Sequence, residues 1–224
     1  MYYKSIFFFC VFLVSNLISA QTDNIDLERI TPKKLKKSLI EQELFKVDNI
    51  ANLSPTCPHA DDSIHYYHNY TVFFDAPIDS VWTAYYTINP AEVWKSKIIS
   101  FGFIYTRESD ELFYKGETFN HLEEGQMLFL TLSFLGGIFK VNLAQELMQI
   151  NEDAKRIQFC YVKYGKSQGT QILTLTEENG KTKVSHDTYY KSHSTFRDKR
   201  IYPYFHKITI RDLHKNVGKV LGEN

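Results

Sequence analysis

The residues able to do chemistry in this chain are mainly histidines. His186 lies in an alternating run, residues 182–192, where Val184, His186, Thr188 and Tyr190 fall on one face and Lys183, Ser185, Asp187 and Lys191 on the other. His206 lies in the C-terminal segment, on a stripe with Tyr202, Ile210, Leu213, Val217 and Val220 that repeats at helical spacing. An imidazole on such an apolar face can hydrogen-bond a ligand carbonyl or hydroxyl, or act as a general base near neutral pH. The alternative is a core histidine satisfied by Tyr190 or Tyr202, because an unpaired buried polar group costs a few kcal/mol. Asp187 points away from His186. Contiguous Ser185-His186-Asp187 is no catalytic triad, whose members meet in space.

Other reactive groups carry less. His59, Asp61, Asp62, His65 and His68 resemble a metal-binding cluster, and His65-x-x-His68 could supply two ligands. The segment reads as a polar linker entering a strand, so no metal is expected. Gly-x-Gly-x-x-Gly, P-loop and Gly-x-Ser-x-Gly patterns are absent, so no cofactor is expected and no catalytic residue is assigned. The cysteines are Cys10, Cys57 and Cys160. Cys10 lies inside an apolar leader; removing that leader leaves an even pair in an oxidising compartment, where either a Cys57–Cys160 bridge or two free thiols is possible.

The leader is residues 1–20. Lys4 is its only charge, Ile6 to Val14 are all apolar or Cys, and Ile18-Ser19-Ala20 is a small-x-small ending. That pattern is a secretory signal cleaved before Gln21, and its core is short of the ~20 residues that span a bilayer. The expectation is an exported, periplasmic or secreted protein that is not integral to a membrane. Across the chain 26 basic residues balance 26 acidic ones, which argues against nucleic acid as a partner. Gly (10) and Pro (6) are scarce, which excludes a fibrous or disordered chain.

The elements that must position the histidines begin near residue 68. Residues 21–67 form an extension with one expected helix: Thr31-Pro32 opens it, and Leu35, Leu39, Ile40, Leu44 and Phe45 recur at helical spacing. Within residues 68–224, strands are expected at 70–74, 101–107, 127–134, 138–150, 156–163, 170–177 and 182–192. Two short helices follow the first strand, one after Asp75-Ala76-Pro77 and one after Asn89-Pro90. Asn179-Gly180 marks a tight hairpin, and a long helix follows Pro203. The class is α+β, a seven-stranded curved antiparallel sheet with a long C-terminal helix.

This order, with Phe74-Asp75-Ala76-Pro77-Ile78-Asp79-Ser80-Val81-Trp82, Trp94 after the second helix and Glu124-Gly125 before a strand, resembles the START-like (SRPBCC) superfamily. The resemblance covers about residues 68–222 and implies a helix-grip fold, in which the sheet wraps the last helix around a cavity for lipids, sterols or polyketides. It implies no catalytic motif, since members include carriers, cyclases and dehydratases. Parity then names the lining. Phe159 and Tyr161 share a face with Ile157, opposite Cys160, and join His186, Tyr190, Tyr202, His206, Ile210 and Leu213 as candidate ligand-binding residues. Leu128, Leu130, Leu132 and Phe134 make a similar face, as do Val141, Leu143 and Leu147. Lys207, Arg211, Lys215 and Lys219 take the solvent side of the helix. The leading expectation is an exported domain binding a hydrophobic, lipid-like small molecule. The alternatives are a cyclase or dehydratase-type enzyme using a pocket histidine, and a solid-core protein-interaction module.

Overall fold

Asn179 and Gly180 hold positive φ (54° and 76°), the pair of left-handed conformations that a two-residue hairpin turn requires. The turn sets the register of the two strands that run into it, so that Glu178 faces Lys181 and Leu173 faces His186. The computed structural model describes residues 25–41, 49–57, 66–163 and 167–223. The leader, together with Leu44, Phe45, His59, Asp61, Asp62 and His65, lies outside them.

The described strands are β1 (Pro55–Thr56), β2 (Tyr66–Phe74), β3 (Ile99–Thr106), β4 (Glu111–Tyr114), β5 (Gln126–Phe134), β6 (Phe139–Asn151), β7 (Arg156–Val162), β8 (Ser167–Glu178) and β9 (Lys181–Ser192). The helices are α1 (Lys33–Ile40), α2 (Ile78–Thr87), α3 (Pro90–Val93) and α4 (Tyr202–Val220). All pairings are antiparallel, in the order β2-β9-β8-β7-β6-β5-β3-β4, with β1 added on β7. The sheet therefore has nine strands rather than the expected seven. β4 is a short edge strand in a polar stretch with no alternation long enough to read. β1 is held by β7 beyond the point where the β7–β8 pairing stops at Cys160 and Thr170.

A fold-defining irregularity sits at Gly102. The register of β3 against β5 slips there, so Phe101 and Phe103 face opposite sides of the sheet instead of the same side. Ile99, Phe101 and Ile104 join the main core with Leu128, Leu130, Leu147 and α4, while Phe103 and Tyr105 join a second cluster on the other face. Leu35 and Leu39 of α1 complete that second cluster with Leu53, Met127, Phe129 and Val162. A Cβ on Gly102 would lie 2.3 Å from the Leu35 side chain and 2.7 Å from the Phe129 carbonyl oxygen, so glycine is what lets α1 approach.

Three further contacts hold the extension on this outer face. Arg107 donates to the carbonyls of Ala51 (2.6 Å) and Leu53 (2.7 Å) and pairs with the nearly buried Glu146 at 2.9 Å. Asn142 donates to Ser38 Oγ at 2.7 Å. Cys57 and Cys160 are disulfide-bonded, with Cα atoms 5.1 Å apart. The extension packs on the sheet mainly against β3, β5 and β6, with Val162 of β7. Ile40 faces solvent (57 % exposed) rather than the apolar side of α1.

The concave face carries α4. Ile210, Leu213 and Val217 are buried there, while Lys207, Arg211, Lys215 and Lys219 are exposed. Val220 departs from its expected stripe and is 60 % exposed, because it closes the last turn of α4 where the chain leaves the core. No described helix is long and apolar enough to cross a membrane.

Candidate functional site

Between α4 and the sheet lie two adjoining chambers. The outer one, about 130 Å³, has walls of Leu132, Phe134, Val141 and Leu143 from β5 and β6, closed by Tyr202 and Ile210 of α4. The inner one, about 40 Å³, lies among Tyr85, Phe159, Leu173, His186 and Leu213. Trp94, Gln145 and Gln171 border both. Trp94 is positioned by α3, whose first turn is capped by the Asn89 side chain accepting from Ala91 N at 2.9 Å. The partition is polar: Gln171 Nε2 donates to Gln145 Oε1 at 3.1 Å.

Gln171 is the hub of a buried hydrogen-bond chain. Its Nε2 also donates to the Tyr161 hydroxyl (2.6 Å), so its Oε1 is left to accept from His186 Nε2 (2.8 Å). A neutral His186 then has a bare Nδ1, which accepts from His214 Nε2 at 3.4 Å. His214 Nδ1 in turn accepts from the Tyr85 hydroxyl. At the other end the Tyr161 hydroxyl, which accepts from Gln171, shares a 2.7 Å hydrogen bond with the Tyr202 hydroxyl in which either oxygen can donate. Tyr202 lines the outer chamber. A separate pair lies alongside: His206 Nδ1 is 3.2 Å from His68 Nδ1, and His206 Nε2 is 3.3 Å from Thr188 Oγ1.

Burial sets the charge state of these groups. It holds His186 and His206 well below the usual histidine range, with the neighbouring imidazoles adding to the effect. It lowers His214 to about 3, helped by His206. It pushes Tyr161 up to about 12 and Tyr202 and Tyr85 well above the usual phenol range. At neutral pH the network is uncharged. It donates and accepts hydrogen bonds but is a weak base, and both nitrogens of His186 already have protein partners.

The expected site residues divide accordingly. Tyr161, Tyr202, His206 and Ile210 border the outer chamber, and Phe159, His186 and Leu213 the inner one. Tyr190 borders neither. Its ring stacks on Tyr202 with centroids 3.7 Å apart, and its hydroxyl donates to the Asp198 carbonyl at 2.8 Å, so it buttresses the wall from behind. Satisfaction of His186 comes from Gln171 and His214, not from Tyr190 or Tyr202. Asp187 faces outward and accepts from Tyr67 and Asn69. The sequence reading missed Gln145, Gln171 and His214. Gln145 lies on the Val141-Leu143-Leu147 face, Gln171 shares parity with Leu173 and Leu175, and His214 follows Ile210 by one helical turn. Among the described residues no group of three or more His, Cys, Asp or Glu side chains could hold a metal ion.

A curved antiparallel sheet gripping a long C-terminal helix over an internal cavity is the helix-grip fold of START-like proteins. Among solved structures, norcoclaurine synthase from Thalictrum flavum is similar with a TM-score of 0.51 and 10 % identity, over 72 % of this chain and 88 % of that one. Major latex-like protein 151 from Panax ginseng is similar with a TM-score of 0.50 and 10 % identity, over 70 % and 97 %. At that identity the likeness is one of fold. No protein-family model and no curated protein sequence matches the chain.

Proposed function

We propose that this chain binds a small apolar or amphipathic molecule in the outer chamber, oriented by a hydrogen bond with the Tyr202 hydroxyl. The observation that carries this reading is the combination of apolar chamber walls with a few polar side chains, Tyr202 at the end of the hydrogen-bond network among them, the usual composition of a small-molecule site. At about 130 Å³ the space is close to that of a cavity known to take up benzene. The favoured occupant is therefore a compact, ring-sized apolar group bearing a carbonyl or other acceptor, with any longer tail leaving through the mouth. An extended lipid chain would require α4 to move. The leader makes export from the cytoplasm part of the same reading, and intact mass of the exported protein should begin at Gln21.

Solvent extraction of purified protein followed by mass spectrometry tests the binding reading directly: a stoichiometric apolar compound supports it, and a clean extract with no uptake of small aromatic carbonyl compounds sinks it. Tyr202→Phe should weaken a carbonyl-bearing ligand roughly tenfold, the worth of one hydrogen bond, and leave its deoxygenated analogue unaffected. An acid–base enzyme is the second reading, favoured by His206 at the chamber wall and by the fold's use in norcoclaurine synthase. It requires turnover of the extracted compound that is lost in His206→Gln.

A further inference from the structure

We propose that the outer face of the β2–β9 strand pair binds an uncharged oligosaccharide, laid along the strands from Tyr67 and Tyr189 at one end to Phe73 at the other. The extension packs elsewhere: its apolar cluster includes no residue of β2, β8 or β9. Strand alternation turns Tyr67, Asn69, Thr71 and Phe73 of β2 outward, and the register sets them against Tyr189, Asp187, Ser185 and Lys183 of β9. Tyr67 and Phe73 are 56 % and 46 % exposed, and at the rise of a strand they lie about 20 Å apart.

The two ends of this row are aromatic and its middle is polar. The Tyr67 and Tyr189 rings lie side by side, with centroids 5.2 Å apart. The Tyr67 hydroxyl donates to Asp187 Oδ1 at 2.6 Å, and Asn69 Nδ2 donates to the same oxygen and to Ser185 Oγ, both at 2.8 Å. Ser185 Oγ donates to Asp187 Oδ2 at 3.1 Å, and Thr71 Oγ1 donates to Asn69 Oδ1 at 2.9 Å. These bonds hold the row in one arrangement, so a ligand that meets it has less to order. Capacity remains, because a carboxylate has about four lone-pair sites and the hydroxyls of Thr71 and Ser185 can still accept.

Charge and shape select the ligand. Among the described residues Asp187 has no ion-pair partner, and Lys183, opposite Phe73, is paired with Glu178 at 2.9 Å. Between its rings the row therefore presents one carboxylate and no unpaired cation, which repels phosphate, sulfate and nucleic acid. An apolar peptide or a lipid surface needs a contiguous apolar patch, whereas here polar side chains separate the rings. A sugar chain fits both halves. Its C–H faces pack on aromatic rings, and its hydroxyls donate to a carboxylate, a charge-assisted bond stronger than a neutral one. The face is open and extended, which suits a chain of sugars rather than a compact molecule that needs a pocket.

The test is calorimetric titration of the full chain with two neutral hexasaccharides, cellohexaose and chitohexaose. At least one should bind, with an affinity that is insensitive to salt between 50 and 500 mM. That affinity should fall at least tenfold in Tyr67→Ala and severalfold in Phe73→Ala and in Asp187→Asn. Binding of neither sugar, an affinity that drops steeply with salt, or equal affinity in wild type and Tyr67→Ala overturns the proposal. So does loss of sugar binding in Tyr202→Phe, which would place the sugar in the chamber instead. Uptake of an apolar fluorescent dye by the chamber is read in parallel. Surface variants that lose sugar but keep dye confirm that the proteins fold. Tyr67-dependent sugar binding without dye uptake would sink the cavity reading and leave the outer face standing.

Discussion

Acidification from pH 8 to pH 5 should destabilise this protein through three buried imidazoles. His186, His206 and His214 are packed against Tyr85, Tyr70, Tyr202, Gln171 and Thr188, and among the described residues no carboxylate touches any of them. Each has a folded pKa below its ordinary value of 6.5, His214 at about 3. In the window below pH 6.5 the unfolded chain binds protons that the folded chain refuses. Stability is therefore full above that pH and is lost as pH falls toward the folded pKa. A histidine with a folded pKa of about 3, as His214 has, loses about 2 kcal/mol by pH 5, and His186 and His206 add to the loss in the same direction. The His214 share alone is a large fraction of the whole stability of a domain, about 5–15 kcal/mol. Lys207 further disfavours charging of His68 beside His206. The assay is urea unfolding at pH 8, 7, 6 and 5 for wild type and for His206→Asn and His214→Asn. Each variant should begin weaker at pH 8 and fall less steeply, by about one histidine's share. A midpoint that does not move between pH 8 and pH 5, or one that moves equally in all three proteins, would refute this account.

Leu213→Ala should cost about 2–5 kcal/mol, since Leu213 is buried beneath the inner chamber, while Lys215→Ala on the solvent side should stay within about 0.5 kcal/mol; equal melting shifts would mean α4 is rotated otherwise. Gly102→Ala should force Leu35 away and cost about 1–3 kcal/mol, with the extension becoming protease-sensitive before the rest of the chain; unchanged digestion would contradict the close approach. Replacing Cys57 and Cys160 by Ser opens a crosslink between residues 103 apart and should cost up to ~4.7 kcal/mol in the chain-entropy model. Non-reducing peptide maps of the wild type should contain the linked pair, and two alkylatable thiols would exclude it.

Much of this architecture was legible because its signals are local. Alternation identified the long strands, Asn179-Gly180 the last hairpin, and Asn89-Pro90 the short α3. What escaped depends on neighbours. β4 is four residues between polar turns, and β1 has no strand character except what β7 lends it. Parity is reliable only while register is unbroken, and the slip at Gly102 reverses it between Phe101 and Phe103. The same parity placed His186 inside yet could not say that Gln171 and His214 would occupy both its nitrogens. That outcome depends on which glutamine and which helical turn come opposite one another, and the sequence carries no distance.

The pairing of β2 with β9 also dictates the order in which the molecule can be assembled. Tyr70 pairs with His186 and Tyr66 with Tyr190, whereas β5, β6 and β7 are joined by short turns. At synthesis rates of about 5–20 residues per second, β2 emerges on the order of ten seconds before its partner exists. Through that interval its backbone donors and its tyrosines are an open edge, the kind of surface that templates association between nascent chains. A chain halted anywhere before β9 would keep that edge permanently. Fragments ending near Glu178 should therefore aggregate, even though they contain seven of the strands that pair with one another in the finished sheet and lack only β9 and α4.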